Sequence, residues 1–167
     1  LVLYAEHEFN ASTFTARVCA STLSDLHSCI TAAIGSLRGP LHGGASEAAM
    51  AMIEQYKTVD LAVADVKRKL EAQELIMGFG HAVYRTGDPR YAALMNHVVG
   101  AWGSDPRLVT VYRVRDVISQ RSDAIPNIDL ALGSLTWLAG MAPDAGEVVF
   151  AVARIAGWLA HALEEYD

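Results

Sequence analysis

Charged side chains are scarce in this sequence. They make up 19% of its 167 residues, against roughly a quarter in ordinary globular domains. The 13 Lys and Arg are outnumbered by 19 Asp and Glu, which gives a net charge of −6. A nucleic-acid surface needs clustered basic side chains to displace phosphate counterions, so this balance argues against one. The basic run Lys67-Arg68-Lys69 lies between Asp65 and Glu71 and is typical of a solvated helix face.

Cysteine is also sparse, with only Cys19 and Cys29 present. Their separation lacks the close paired spacing of a zinc knuckle, and the histidines do not show the spacing of a zinc site with a nearby glutamate. We therefore predict no metal site and no permanently bound cofactor. Both cysteines fall in apolar helical patterns, which favours buried thiols in a reducing compartment and hence a cytoplasmic protein.

Long hydrophobic runs are absent too. No charge-free run exceeds the fourteen residues of 130–143, and a helix needs about 20 apolar residues to cross a bilayer. No secretory signal is visible. Hydrophobic residues nevertheless make up 52% of the chain, more than a domain of this size readily buries. Together with the start at Leu1, this predicts a soluble piece of a longer chain that packs against other protein surface.

Apolar residues recur with helical spacing along most of the chain. The clearest helix begins at Asp88-Pro89, where aspartate can cap the end and proline fits the first turn, and its stripe reaches Trp102. Thr22 or Ser24 is expected to cap the helix predicted at 26–37. No alternating run is long enough for a sheet, and only 74–77 could be briefly extended, so we predict an all-α fold. Further helices are predicted at 12–20, 26–37, 44–55, 60–73, 106–121, 129–139 and 148–163.

Three histidines stand beside flexible or helix-starting residues. They are His7 in Glu6-His7-Glu8, His42 in Gly39-Pro40-Leu41-His42-Gly43-Gly44, and His81 in Gly78-Phe79-Gly80-His81. Glycine permits close approach of the backbone to a ligand, so these imidazoles could be presented to a substrate. Any one of them could equally be a structural or surface residue, but three in one chain favour a functional site.

Four motifs follow one another along the chain. They are Glu6-His7-Glu8-Phe9-Asn10-Ala11-Ser12-Thr13, Gly39-Pro40-Leu41-His42-Gly43-Gly44-Ala45, Gly78-Phe79-Gly80-His81-Ala82-Val83-Tyr84 with Asp88-Pro89-Arg90, and Pro126-Asn127-Ile128-Asp129. In this order they resemble the motifs of the citrate synthase family, and the runs 9–15 and 153–158 are most similar to bacterial 2-methylcitrate synthases. The resemblance implies a citrate-synthase-like helical fold.

The resemblance implies an acyltransferase that performs a Claisen-type condensation. An acyl-CoA, either acetyl-CoA or propionyl-CoA, is deprotonated beside its thioester; the enolate attacks the ketone of oxaloacetate, and the thioester is then hydrolysed. In this role assignment Asp129 is the base, His42 donates to the enolate, and His81 donates to the oxaloacetate carbonyl. An isolated carboxylate in an apolar stretch suits a base, but Asp129 could instead cap a helix that begins at Leu130. A helix start just after His42 would favour its neutral form.

Oxaloacetate is a dianion, so its pocket requires fixed positive charge. Arg90 falls in the first turn of the Asp88-Pro89 helix, where a guanidinium fork and backbone N–H groups can meet a carboxylate. Arg154 stands in an apolar helix and must reach a ligand or a buried carboxylate partner. By resemblance, His7, Arg90 and Arg154 are substrate ligands. The acyl-CoA contacts implied by resemblance are Leu75, Ile76, Met77, Gly78, Phe79 and Arg85.

The resemblance also implies a division of the chain. Residues 1–41 would belong to a large helical domain, 42–135 would form the small domain that closes over substrate and binds CoA, and 136–167 would return into the large domain. Both flanks would then pack against chain outside this sequence and against the second subunit of a homodimer. The implied setting is the tricarboxylic acid cycle or propionate metabolism. A catalytically silent CoA-binding or interaction domain of the same fold is the alternative.

One residue departs from the family pattern. Ser46 stands where the family usually has asparagine. This change could alter the support of the His42 loop without removing a catalytic group.

Overall fold

The computed structural model describes all 167 residues, and the predicted all-α fold is confirmed. A short 3-10 helix precedes the α-helices, and the only sheet-like contact is an isolated antiparallel bridge between Phe79 and Pro126. The 3-10 helix spans Val2–Tyr4, and the helices are α1 (Ala11–Ala20), α2 (Leu26–Leu37), α3 (Ala45–Glu54), α4 (Val59–Glu71), α5 (Pro89–Trp102), α6 (Arg107–Arg121), α7 (Ile128–Leu138) and α8 (Ala145–Tyr166).

The caps show where local sequence determined the helix starts. Asp88 caps α5 as predicted, because its side chain accepts from the backbone N–H of Arg90. The predicted caps of α2 are wrong: the carboxylate of Asp25 accepts from Ser28 N at 2.9 Å. Thr22 instead belongs to the end of α1, where its hydroxyl donates to Cys19 O at 2.7 Å.

The chain divides into two compact units. The first comprises Leu1–Gly44 and Asp144–Asp167, in which α1 packs against both α2 and α8. The second is Ala45–Pro143, where α7 packs against α3 and α5 while α4 packs against α6. The apolar core of the second unit draws side chains from all five of its helices.

Helix α8 buries a different face from the apolar stripe in its sequence, which consists of Val148, Val152, Ile155, Leu159 and Leu163. Val148 and Val152 are each 54% exposed, whereas Arg154 and Trp158 are almost fully buried. Length and composition alone would allow α8 to cross a bilayer. In the structure α8 packs against α1 and α2, and its buried residues are Gly146, Phe150, Ala153, Arg154, Gly157, Trp158 and Ala162.

A close helix crossing holds the second unit together. A Cβ atom on Gly133 of α7 would lie 2.8 Å from Ser46 O and 3.0 Å from Met50 N, both in the backbone of α3. Real side chains do not approach backbone atoms so closely, so the two helices could not pack at this distance around a larger residue. The crossing sets the position of the beginning of α7.

The close crossing of α3 and α7 leads to a prediction about stability. Gly133→Ala should lower the free energy of unfolding by about 1–3 kcal/mol, because the helices must move apart. Gly100→Ala on α5 is the matched control: its Cβ would meet nothing within 4 Å, so better helix propensity should raise stability by about 0.5–1 kcal/mol. Denaturant unfolding of the full-length protein measures both. A Gly133→Ala protein as stable as its parent would contradict this account of the crossing.

Candidate active site

The predicted site residues are distributed over both units. His7, His42 and Arg154 lie in the first unit, whereas His81, Arg90 and Asp129 lie in the second. The proposed acyl-CoA contacts 75–79 and Arg85 also belong to the second unit. We therefore describe each group within its own unit.

His42 lies in the turn that follows α2. Its backbone N–H donates to Gly39 O at 2.9 Å, and the next residue folds back so that Gly43 N donates to Leu37 O at 2.8 Å. A Cβ on Gly43 would lie 2.6 Å from Leu37 O. Only glycine therefore fits this return of the chain, which fixes the position of the His42 backbone.

The imidazole of His42 is anchored to the start of α1. His42 Nε2 lies 2.8 Å from the hydroxyl of Ser12. Asn10, the cap of α1, orients this hydroxyl: Asn10 Oδ1 accepts from Thr13 N at 3.1 Å and from the Ser12 hydroxyl at 2.9 Å. Ser12 was not among the predicted site residues. The available signal was its place in the Asn10-Ala11-Ser12-Thr13 part of a family motif.

His42 is neutral at pH 7. Burial lowers its pKa to about 4, and the positive charge of Arg154 contributes in the same direction. Neutrality was expected from a helix start after His42, but the causes in the structure are burial and a nearby cation. The ring of Phe150 contacts both groups, with ring centroids of Phe150 and His42 5.3 Å apart and Arg154 Cζ 4.8 Å from the Phe150 centroid.

Arg154 is held in the core of the first unit. It is 1% exposed, and its Nε donates to Tyr4 O at 2.6 Å. One turn further along α8, Gly157 N donates to Ala5 O at 3.0 Å. A Cβ on Gly157 would come within 2.5 Å of that oxygen. Thus α8 fixes the backbone just before His7, which is half-buried.

In the second unit, Asp88 connects two helix starts. The buried carboxylate accepts from Arg90 N at 3.0 Å and from Arg90 Nη2 at 2.9 Å, and also from Ile128 N, the first residue of α7, at 3.0 Å. Burial alone would raise the pKa of Asp88, but the bonds and charge of Arg90 and the Ile128 N–H hold it below its usual value. The sequence predicted the cap of α5; the link to α7 was missed.

The hydrogen bonds of His81 determine which nitrogen carries its proton. Nδ1 accepts from Val83 N at 3.0 Å and from Tyr84 N at 3.2 Å. Because Nδ1 is an acceptor, the proton of the neutral ring lies on Nε2. Nε2 in turn lies 3.2 Å from Arg90 Nη2. The His81 imidazole and the Arg90 guanidinium therefore lie side by side.

Asp129 lies in the first turn of α7 but does not cap it. Asn127 is the cap: its Oδ1 accepts from Asp129 N at 3.0 Å. The alternative role of Asp129 as the cap of a helix from Leu130 is therefore wrong. Asn127 also donates through Nδ2 to Gly80 O at 2.8 Å, which ties the start of α7 to the loop carrying His81.

The proposed acyl-CoA loop leads directly into this arrangement. Gly78 has φ of 85°, and Asn127 N donates to its carbonyl at 3.0 Å. Leu75 is 69% exposed, while Ile76 and Phe79 are each 7% exposed and anchor the loop in the core. The loop therefore combines fixed backbone with an exposed start. Arg85 lines a separate surface cavity of about 370 Å³ together with Ser119, Ser122, Asp123, Ala124 and Ile125.

Comparison with known proteins identifies relatives along the whole chain. The family model of the citrate synthase C-terminal domain matches residues 1–167. Citrate synthase 2 of Bacillus subtilis is 46% identical, covering 100% of this chain and 46% of its own length. The 2-methylcitrate synthase of Shewanella oneidensis is 48% identical, covering 99% and 45% respectively. This chain thus spans about half the length of the curated relatives it matches.

A solved structure shows the same fold. It is the ternary complex of carboxymethyl coenzyme A and oxaloacetate with citrate synthase from Thermoplasma acidophilum, which superposes with a TM-score of 0.84 at 35% sequence identity. The match covers 97% of this chain and 45% of that one.

The pKa of His42 makes a prediction about stability. A pKa of about 4 in the folded state, against about 6.5 when unfolded, means that the unfolded chain binds more protons between these values. Stability should therefore fall as pH is lowered from 6.5 towards 4. In the full-length protein, His42→Gln should lessen this fall, while His27→Gln, at an exposed position on α2, should follow the parent. Unfolding midpoints measured across this range provide the test, and a pH-independent difference between parent and His42→Gln would contradict it.

Proposed function

Because this chain belongs to the citrate synthase family, we propose that the full-length protein condenses an acyl-CoA with oxaloacetate and hydrolyses the resulting thioester. The observation that carries the proposal is the adjacent placement of the His81 imidazole and the Arg90 guanidinium, whose Nε2 and Nη2 atoms lie 3.2 Å apart. Such a pair suits a substrate with a carbonyl beside a carboxylate, as in oxaloacetate.

His81 activates the electrophile. Its Nε2–H donates to the ketone oxygen of oxaloacetate, where negative charge develops as the new carbon–carbon bond forms. Arg90 binds the neighbouring carboxylate, and Asp88 keeps the guanidinium fork in place through Nε and Nη2. Rigid placement lowers the barrier because neither donor has to reorganise during the reaction.

Asp129 and His42 generate the nucleophile. Asp129 removes a proton from the carbon beside the thioester, and the electron pair moves onto the thioester oxygen. A neutral His42 donates a hydrogen bond to that oxygen. This bond stabilises the enolate without protonating it. The low pKa of His42 suits this role, since an imidazolium would be a stronger acid than the step requires.

Arg154 and His7 complete the oxaloacetate pocket in the proposal. Arg154 is fixed by Tyr4 and Phe150, so it can present its charge with little loss of conformational freedom. We propose that 42–135 forms a small domain that closes over substrate and that 1–41 and 136–167 belong to a large domain.

The acyl-CoA is proposed to bind along the loop 75–79, with Arg85 as a phosphate contact. Relatives named citrate synthase and 2-methylcitrate synthase both match this chain at above 45% identity, so acetyl-CoA and propionyl-CoA are both candidate substrates. The proposal includes a cytoplasmic homodimer that acts in the tricarboxylic acid cycle or in propionate metabolism and needs no metal or resident cofactor.

The assay that tests this function measures free CoA. The full-length protein should release CoA from acetyl-CoA or propionyl-CoA only when oxaloacetate is present. Stabilisation by CoA against heat, without turnover of either acyl-CoA, would instead indicate a silent CoA-binding domain.

Asp129 is the residue whose replacement tests the mechanism most sharply. Asp129→Asn in the full-length protein should leave oxaloacetate binding intact but lower turnover by about a hundredfold or more, since the base is lost. Exchange of the acyl-CoA α-hydrogen with solvent should be lost as well. Asp60→Asn is the matched control because Asp60 is the second residue of α4, as Asp129 is of α7. Near-normal turnover and exchange in Asp129→Asn would rule this residue out as the base.

A further inference from the structure

Helix α8 holds the segment that carries His7 at more places than the two described above. Besides its contacts with the carbonyl oxygens of Tyr4 and Ala5, it contacts the side chain of Glu6. His161 Nε2 lies 3.1 Å from Glu6 Oε1, and the His161 side chain is only 13% exposed. Glu6 directly precedes His7, so this third contact reaches the neighbour of a proposed oxaloacetate ligand.

The hydrogen bond between His161 and Glu6 runs from the ring to the carboxylate. Burial would raise the pKa of Glu6, but hydrogen bonds from His161 and from the backbone of His7 and Glu8 hold it below its usual value. An ionised carboxylate only accepts, so the proton in this bond belongs to His161 Nε2. On the other side of the ring, Nδ1 lies 3.1 Å from Nη1 of Arg17, whose guanidinium only donates. Both partners therefore suit a ring that carries its proton on Nε2.

The carboxylate of Glu6 in turn holds the backbone around His7. It accepts from the N–H groups of His7 and Glu8. Glu8 has a φ of 51°, in the left-handed region that residues other than glycine rarely adopt. Such a conformation persists only where surrounding contacts hold it. The carboxylate supplies these contacts on both sides of one peptide group, and so it determines where the backbone places His7.

The surface of α8 is shaped to receive this carboxylate. A Cβ on Gly157 would lie 2.7 Å from Glu6 Oε2, so the carboxylate lies against bare helix backbone that a side chain would cover. His161 follows Gly157 by four residues and therefore lies on the same face of α8. The ring of Phe9 packs edge-on against the His161 ring, with centroids 5.3 Å apart. These contacts fix the donor as well as the place of its acceptor.

We propose that His161 is a positioning residue for His7, acting through the carboxylate of Glu6. The ring of His161 fixes the carboxylate, the carboxylate fixes the turn, and the turn presents His7 to oxaloacetate. This inference rests on the proposed function, in which His7 is a substrate ligand. Loss of His161 should weaken oxaloacetate binding and leave the chemical step almost unchanged, because the proposed catalytic groups are not altered.

The experiment removes the donor and then restores it in the full-length enzyme. His161→Leu should raise the KM for oxaloacetate by about fivefold, as for the loss of one hydrogen bond to a charged group, while kcat stays within about twofold of the parent. His161→Gln keeps an N–H that can reach the carboxylate, so its KM should stay within about twofold of the parent. His97→Leu, at an exposed position on α5, is the matched control and should change neither constant. An unchanged KM in His161→Leu would overturn the proposal.

A double-mutant cycle separates positioning through Glu6 from simple packing. Glu6→Ala alone should raise the KM for oxaloacetate by about the same factor as His161→Leu. Because His161 acts through Glu6, adding His161→Leu to Glu6→Ala should change the KM by less than about twofold. A packing role predicts the same rise in both backgrounds, and that result would overturn the proposal.

The turn itself is observed without turnover, by amide hydrogen exchange of the full-length protein. The N–H of Glu8 should exchange at least about threefold faster in His161→Leu than in the parent, because a local contact that protects it has been weakened. Amides of α5 should exchange at the parent's rate. Equal exchange of the Glu8 amide in both proteins would overturn the proposal. Absence of the condensation would appear instead as no CoA release by the parent, so the two failures are distinguishable.

Discussion

The buried carboxylate of Asp88 is the contact on which the arrangement of the second unit's site depends. It accepts four hydrogen bonds, three from Arg90 and one from Ile128. Arg90 and Ile128 stand at the starts of α5 and α7, where backbone N–H groups have no partner within the helix. One anion therefore satisfies two helix ends and orients the guanidinium of Arg90. An amide or alanine at this position would leave buried donors unpaired, which costs more than the net value of the bonds themselves.

Helix α8 has the equivalent organising role in the first unit. Three residues on one face of this helix each contact a different part of the proposed site: Arg154 holds Tyr4 O, Gly157 holds Ala5 O, and Trp158 holds the hydroxyl of Ser12. Residues spaced three or four apart lie on the same helix face. The rigid helix thus places the segment before His7 and the support of His42 in a fixed relation.

Local signals in the sequence determined what could be predicted. The Asp88-Pro89 start was predictable because cap and proline act within one turn. The cap of α2 was mistaken because Thr22, Ser24 and Asp25 are all good caps, and the choice depends on how α1 ends. The buried face of α8 was not predictable either, because apolar residues cover more than one side of this helix. The contacts that hold Ser12 and Arg154 join residues 146 and 150 positions apart in sequence, and no local pattern carries that information.

The proposed condensation requires His81 and Arg90 to bind oxaloacetate while His42 and Asp129 act on the acyl-CoA. A crystal structure of the full-length protein with oxaloacetate and carboxymethyl coenzyme A tests this directly. We expect His81 Nε2 and Arg90 on oxaloacetate, with the His42 imidazole and the Asp129 carboxylate within hydrogen-bond distance of the acyl group of the analogue. The proposal would be contradicted if either pair of side chains were directed away from both ligands.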